Sequence, residues 1–174
     1  MKERTDESLM VEVSNGNLDN LKVLFERHHV HVYNFLYKMS RDKMLSEDIA
    51  QDVFYKLMKY RNSYNGGSFV SWMFTIARNN LKTHYRRNAT DHDDLGILEY
   101  QLTESNDEKE EDYSHLQIAL NKLDASDREL LILNRFQEIK YAELAEIIGS
   151  TPGAVKTKVS RALKKLRKVY FEKI

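Results

Sequence analysis

No cysteine occurs in the 174 residues, so disulfides and thiolate metal sites are excluded and a reducing compartment is permitted. One proline and six glycines leave few forced breaks, which points to an almost wholly helical chain. No apolar run approaches the length needed to span a bilayer. The opening MKERTDESLM is charged and has no apolar signal core, so no secretion signal is expected. Histidine and carboxylate do not recur together at catalytic or metal-binding spacing. His28 and His31 stand at i, i+3 and could share a helix face, but with no carboxylate nearby on it they are expected to serve packing or surface roles. The chain is therefore expected to be no enzyme, with no catalytic residue, no metal and no cofactor.

Net charge is also absent, and its absence conceals an asymmetry. Residues 1–87 carry 14 Lys and Arg against 10 Asp and Glu, residues 88–120 carry 1 against 10, and residues 121–174 carry 12 against 7. Two basic segments flank an acidic one, a pattern that suits nucleic-acid contact at both ends. The length allows one or two small domains, and 41% hydrophobic residues are enough to give them cores.

What is present is organised around Tyr141 to Lys168. Leu144, Ala145 and Ile148 form one face of a short helix. Gly149 follows where a helix end often needs positive φ. Thr151 is a candidate N-cap, with Pro152 at the first helical position. In the next helix Val155, Val159, Ala162, Leu163 and Leu166 recur at helical spacing and are expected to pack inward. Lys156, Thr157, Ser160, Arg161 and Lys164 recur on the other side. An apolar edge that anchors and a basic, hydrogen-bonding edge that is presented make a helix-turn-helix, sized for the major groove.

The N-terminal part reads as a series of helices. Residues 7–39 give two, broken at Asn15-Gly16-Asn17. A third is expected to open with Ser46 as N-cap and Glu47 and Asp48 in its first turn, burying Ile49, Val53, Phe54, Leu57 and Tyr60. Its polar face carries Glu47, Asp48, Gln51 and Asp52. Arg61–Gly67 is a loop, and Ser68 can cap the helix after it, roughly 68–87. That helix is expected to turn Phe69, Trp72, Met73, Ile76, Ala77 and Leu81 inward and to show Phe74, Arg78, Lys82, Tyr85 and Arg86, with Asn79 nearby. Basic residues interleaved with aromatics suit single-stranded DNA. Residues 88–112 lose periodicity and are acidic, as a mobile linker would be, with a small apolar patch at Leu95, Ile97 and Leu98. Beyond it Leu116, Ala119, Leu120 and Leu123 mark another helix. Ser126 with Glu129 reads as a capping box for a helix carrying Leu130, Leu131 and Leu133.

Three stretches in this order carry a resemblance: Ser46-Glu47-Asp48-Ile49-Ala50-Gln51-Asp52-Val53-Phe54, then Ser71-Trp72-Met73-Phe74-Thr75-Ile76-Ala77-Arg78-Asn79, and Gly153 to Ala162. Over nearly its full length the chain resembles bacterial RNA polymerase sigma factors of the extracytoplasmic-function group, within the sigma-70 family. The resemblance implies an all-α protein of two small helical domains, residues 1–88 and 113–174, joined by a flexible acidic linker at 89–112. The first domain would bind core polymerase and the minus-ten element, and the second the minus-thirty-five element. Asp48, Gln51 and Asp52 fall where such proteins dock on the clamp coiled coil of the largest polymerase subunit. The loop around Asn62, Tyr64 and Asn65 falls where a flipped base is captured, with Asn79 and Asn80 near the pocket and Arg78, Lys82, Tyr85 and Arg86 along the single strand. The recognition helix matches at Lys156, Thr157, Lys158 and Arg161. Ala154 departs from the Thr often found there. The partners implied are core RNA polymerase, promoter DNA and an anti-sigma factor, all in the cytoplasm. A stand-alone helix-turn-helix regulator is the alternative.

Overall fold

The computed structural model describes residues 3–91 and 111–172, so most of the segment read as the acidic linker, with its patch at Leu95, Ile97 and Leu98, lies outside the described residues. Among the described residues, eight α-helices run in the order α1 (Asp6–Ser14), α2 (Asn20–Ser40), α3 (Lys43–Lys59), α4 (Phe69–Asp91), α5 (Glu111–Lys122), α6 (Ala125–Leu131), α7 (Tyr141–Ile148) and α8 (Pro152–Phe171). No strand occurs among the described residues. A 3₁₀ turn covers Arg61–Ser63, and a π-helical turn at Ile132–Phe136 follows α6. The all-α expectation holds, and α4 continues through Asp91.

Helices α1–α4 bury Leu9, Met10, Val13, Leu24, Val32, Phe35, Leu36, Met39, Val53, Leu57, Phe69 and Met73. Helices α5–α8 bury Leu120, Leu130, Leu131, Ile132, Leu133, Leu144, Val155, Val159 and Ala162. These two sets form one continuous apolar cluster, because α6, its π turn and α7 pack on α2 and α4.

Four local expectations are corrected. The N-cap of α3 is Asp42, whose side chain accepts from the Leu45 N–H at 3.1 Å. Ser46 lies one turn inside, fully buried, donating to the Asp42 carbonyl at 2.7 Å and sitting 3.2 Å from the Ser40 hydroxyl. Tyr60 is exposed rather than buried, because it follows the last turn of α3. Phe74, expected on the outer side of α4, is buried edge-on against Phe35. The cap of α6 is Asp124, accepting from the Asp127 N–H at 2.8 Å. Ser126 is exposed, and the Glu129 carboxylate turns instead toward α4.

The first helix ties to the others through charge. His28 Nε2 lies 2.8 Å from Asp6 Oδ2, and Arg27 Nη1 lies 3.0 Å from Asp6 Oδ1. Burial pushes the Asp6 carboxyl up, but the bonds from His28 and Arg27 outweigh it and hold the group below its usual range. The carboxylate sought on the histidine face thus comes from a neighbouring helix.

Candidate nucleic-acid and polymerase interfaces

The helix-turn-helix forms as its residues dictate. Gly149 ends α7 at φ 72°, in the left-handed region that a Cβ would strain. Thr151 then caps α8, its hydroxyl accepting from the Ala154 N–H at 3.2 Å, and Pro152 opens the helix. Val155, Val159 and Ala162 are buried, while Leu163 and Leu166 are half-buried against the same core. Ala145 is buried on α7, the helix that packs against α8. Opposite them Lys156, Thr157, Lys158, Ser160, Arg161 and Lys164 are all exposed. Thr157 donates back to the Gly153 carbonyl at 3.2 Å, which fixes its rotamer. Such an edge offers cationic and hydroxyl donors on one side of a rigid helix, as base edges and phosphates require. Lys165, one position beyond, is held by Asp127 at 2.9 Å.

The residues expected at the minus-ten element divide into two groups. Asn62 and Asn65 are exposed on the loop before α4. Tyr64 is half-buried, its ring 5.2 Å from Trp72 and its hydroxyl donating to the Gly67 carbonyl. Burial, with Glu7 and Asp6 nearby, pushes the Tyr64 phenol up to about 12, so it remains a donor at any physiological pH. Ser68 caps α4 by accepting from the Ser71 N–H, and Glu7 accepts from the Phe69 N–H at 3.2 Å, so α1 fixes the loop's exit. On α4, Asn79, Lys82 and Arg86 are exposed and Tyr85 is half-buried. Two other residues have internal partners. Asn80 donates to Asp52 at 2.9 Å and accepts from Lys56. Arg78 Nε donates to Glu129 Oε1 at 2.6 Å.

On α3, Asp48 and Gln51 are exposed. Asp52 is half-buried between Asn80 and Lys56, the latter at 3.2 Å. With α3 beginning at Lys43, Asp48 stands in its second turn, where the helix dipole offers less compensation than the first turn would. An exposed carboxylate there gains little from the fold.

Sequence reasoning did not single out Arg128. It is buried, and its guanidinium donates to the carbonyls of Leu120, Asn121 and Leu123 at 3.0–3.1 Å and to that of Met39 at 3.3 Å. One cation thus serves the C-terminal ends of α5 and α2, where helix carbonyls lack intrahelical donors.

The fold and these surfaces define a two-part helical DNA-binding protein with a helix-turn-helix in its second part. Residues 24–90 match sigma-70 region 2, and residues 111–166 match sigma-70 region 4. RNA polymerase sigma factor YlaC of Bacillus subtilis (strain 168) is 29% identical over 167 residues, covering 86% of this chain and 91% of that protein. SigM of the same organism, an extracytoplasmic-function (ECF) RNA polymerase sigma factor, is 30% identical over 143 residues, covering 80% and 88%. Among solved structures, sigma factor RpoE in complex with the anti-sigma factor NepR, from Bartonella quintana, is 27% identical with a TM-score of 0.73, over 85% of this chain and 94% of that one. CnrH, solved with the cytosolic domain of CnrY, shares the fold at a TM-score of 0.73 and 22% identity, over 94% of this chain and 96% of that one. The chain belongs to the extracytoplasmic-function group of the sigma-70 family of RNA polymerase sigma factors.

Proposed function

We propose that this chain directs core RNA polymerase to its promoters through two separate readers. Residues 1–88 bind core polymerase and the minus-ten element, residues 113–174 read the minus-thirty-five element, and residues 89–112 join them. The observation that carries this reading is the pairing of an open basic recognition edge on α8 with a loop and basic-aromatic helix on the other half. The first suits duplex DNA. The second suits unstacked bases, whose capture offsets the few kcal/mol that unstacking costs.

In this mechanism Lys156, Thr157, Lys158, Ser160, Arg161 and Lys164 contact the upstream duplex. Asn62, Tyr64 and Asn65 take the extruded base, flanked by Asn79, Asn80, Lys82, Tyr85 and Arg86, while Arg78 joins them once free of Glu129. Asp48, Gln51 and Asp52 meet the clamp coiled coil of the largest polymerase subunit. No residue acts as a catalyst and no cofactor is required, since polymerase performs the chemistry. The protein therefore works in the cytoplasm, where its polymerase and DNA are. No described helix is long and apolar enough to cross a membrane. RpoE of Bartonella quintana was solved with an anti-sigma factor, which supports a partner of that kind here.

Arg161→Ala and Lys156→Ala are each expected to weaken binding to the upstream element by about 1–3 kcal/mol where the side chain reaches a base edge. A phosphate contact would instead give a uniform loss over all sequences and a shallower salt slope. Transcription unchanged from a cognate promoter would remove both residues from the interface. The broader reading is tested by titrating promoter fragments with the chain alone and with the chain plus core polymerase. Specific opening of the minus-ten region is expected only with core. Tight palindromic binding by the chain alone would favour a stand-alone regulator.

A further inference from the structure

We infer that Glu7 of α1 is a positioning residue for the loop Arg61–Gly67: it holds the loop in shape, and the base that the loop accepts depends on it. Glu7 lies outside residues 24–90, the segment that matches sigma-70 region 2. Its Oε1 nevertheless accepts from the Phe69 N–H at 3.2 Å, across 62 positions of sequence. Phe69 is the first residue of α4, and its N–H is one of the donors that a helix cannot satisfy from within. Ser68 serves another such donor, that of Ser71, at 3.2 Å. The exit of the loop is therefore capped twice, once by its own residue and once by a carboxylate that α1 brings in. That carboxylate also suits the positive end of the α4 dipole.

Glu7 is aimed by its neighbour. Asp6, one position before it, pairs with His28 and Arg27 of α2, so the first turn of α1 is pinned where Glu7 can reach α4. The His28 ring in turn lies 5.3 Å from that of Phe69. Helix α1 also packs against the 3₁₀ turn Arg61–Ser63, so it meets the loop at its entry as well as its exit. Between these points the loop closes on itself. Asn65 Oδ1 accepts from the Gly67 N–H at 2.9 Å, and the Tyr64 hydroxyl donates to the Gly67 carbonyl. Both backbone polar groups of Gly67 are thus engaged, two positions before the N–H that Glu7 holds. Asn62, Asn65 and Gly66 stay exposed on the rim. A shift of the α4 N-terminus would carry Gly67 with it and turn Tyr64 and Asn65, the two side chains bonded to it. A site that reads a base needs its contacting groups fixed by others behind them, and Glu7 occupies that supporting place.

That Glu7 holds the loop stands on these contacts, and only its effect on base preference rests on the function proposed above. Two measurements on the full-length chain separate them. The first is amide hydrogen exchange in the free protein. Glu7→Ala is expected to speed exchange of the Gly67 and Phe69 amides about 3- to 30-fold, the population shift that losing one helix cap produces. Glu7→Asp keeps the charge but is one methylene shorter, and should behave alike. Glu7→Gln keeps an oxygen at the same reach and should restore wild-type exchange. The second measurement lets core polymerase carrying each variant select from short single-stranded DNA of random sequence. Wild type should enrich one base at one position, Glu7→Ala and Glu7→Asp should flatten that preference, and Glu7→Gln should keep it. Glu12→Ala removes a bond from the other end of α1 to Asn20 and should leave both readouts at wild type. Should Glu7→Ala lose its helical circular dichroism, Glu7→Asp decides by the same measurements. Unchanged exchange in Glu7→Ala, or no rescue by Glu7→Gln, overturns the holding role. An equal effect of Glu12→Ala overturns it too, since Glu7 would then only stabilise α1. Base preference kept in Glu7→Ala while exchange quickens overturns the effect on recognition. No enrichment by wild type, with exchange still quickened by Glu7→Ala, rejects the proposed function and leaves Glu7 holding the loop.

Discussion

Arg128→Ala is expected to destabilise the protein by about 3–5 kcal/mol, since several buried carbonyls lose their donor at about 1–3 kcal/mol each. The guanidinium serves four carbonyls on two helices from a buried position. Truncation leaves those carbonyls facing a cavity, and each unsatisfied group adds to the loss. Arg128→Lys should recover less than half, since an ammonium keeps the charge but not the fork that reaches two helix ends at once. Urea denaturation followed by circular dichroism measures both variants. A loss under about 1 kcal/mol for Arg128→Ala, the scale of an ordinary surface change, would mean that water replaces the guanidinium without cost.

Asp48→Ala combined with Asp52→Ala is expected to weaken association with core polymerase by about 2–5 kcal/mol, provided the carboxylates are desolvated on docking. The two stand at i, i+4 and repel by roughly 0.2–0.5 kcal/mol; Lys56 and Asn80 offset this at Asp52, whereas Asp48 is exposed. The single variants should differ. Asp48 is exposed and lies past the first turn of α3, so Asp48→Ala should leave the melting curve within about 0.5 kcal/mol of wild type. Asp52 orients Asn80, so Asp52→Ala should also loosen the minus-ten surface and cost affinity for single-stranded DNA. A core-binding titration beside a melting curve separates these effects. Wild-type affinity for core in the double variant would remove the clamp assignment, and a collapsed melting curve would make the face structural.

The helix-turn-helix was legible because its determinants are local. Gly149, Thr151 and Pro152 act within one turn of where they stand, and the apolar and basic edges of α8 follow from spacing alone. The sequence alone does not locate the start of α3, because Asp42 and Ser46 are both capping residues one turn apart. Choosing between them requires Ser40, which pairs with the buried Ser46 hydroxyl. A single apolar stripe on α4 leaves Phe74 outside, whereas that helix is covered by α2 and α3 on one side and by α7 on another. Arg78 reads in sequence as a DNA-facing cation and Glu129 as a capping-box residue, yet each is the other's partner across the two halves, and Arg128 reaches Met39 of the other half besides three carbonyls of its own; no periodicity reports such contacts. Asp52 and Asn80 fall on different surfaces in the sequence reading, although a hydrogen bond between neighbouring helices α3 and α4 joins them.

Run-off transcription with purified core polymerase over genomic fragments tests the central claim most directly. With the chain present, discrete transcripts are expected from a small set of start sites, each preceded by two conserved-spacing elements, and none without it. No discrete start in the presence of core, with the chain alone still binding specific DNA, would contradict the account.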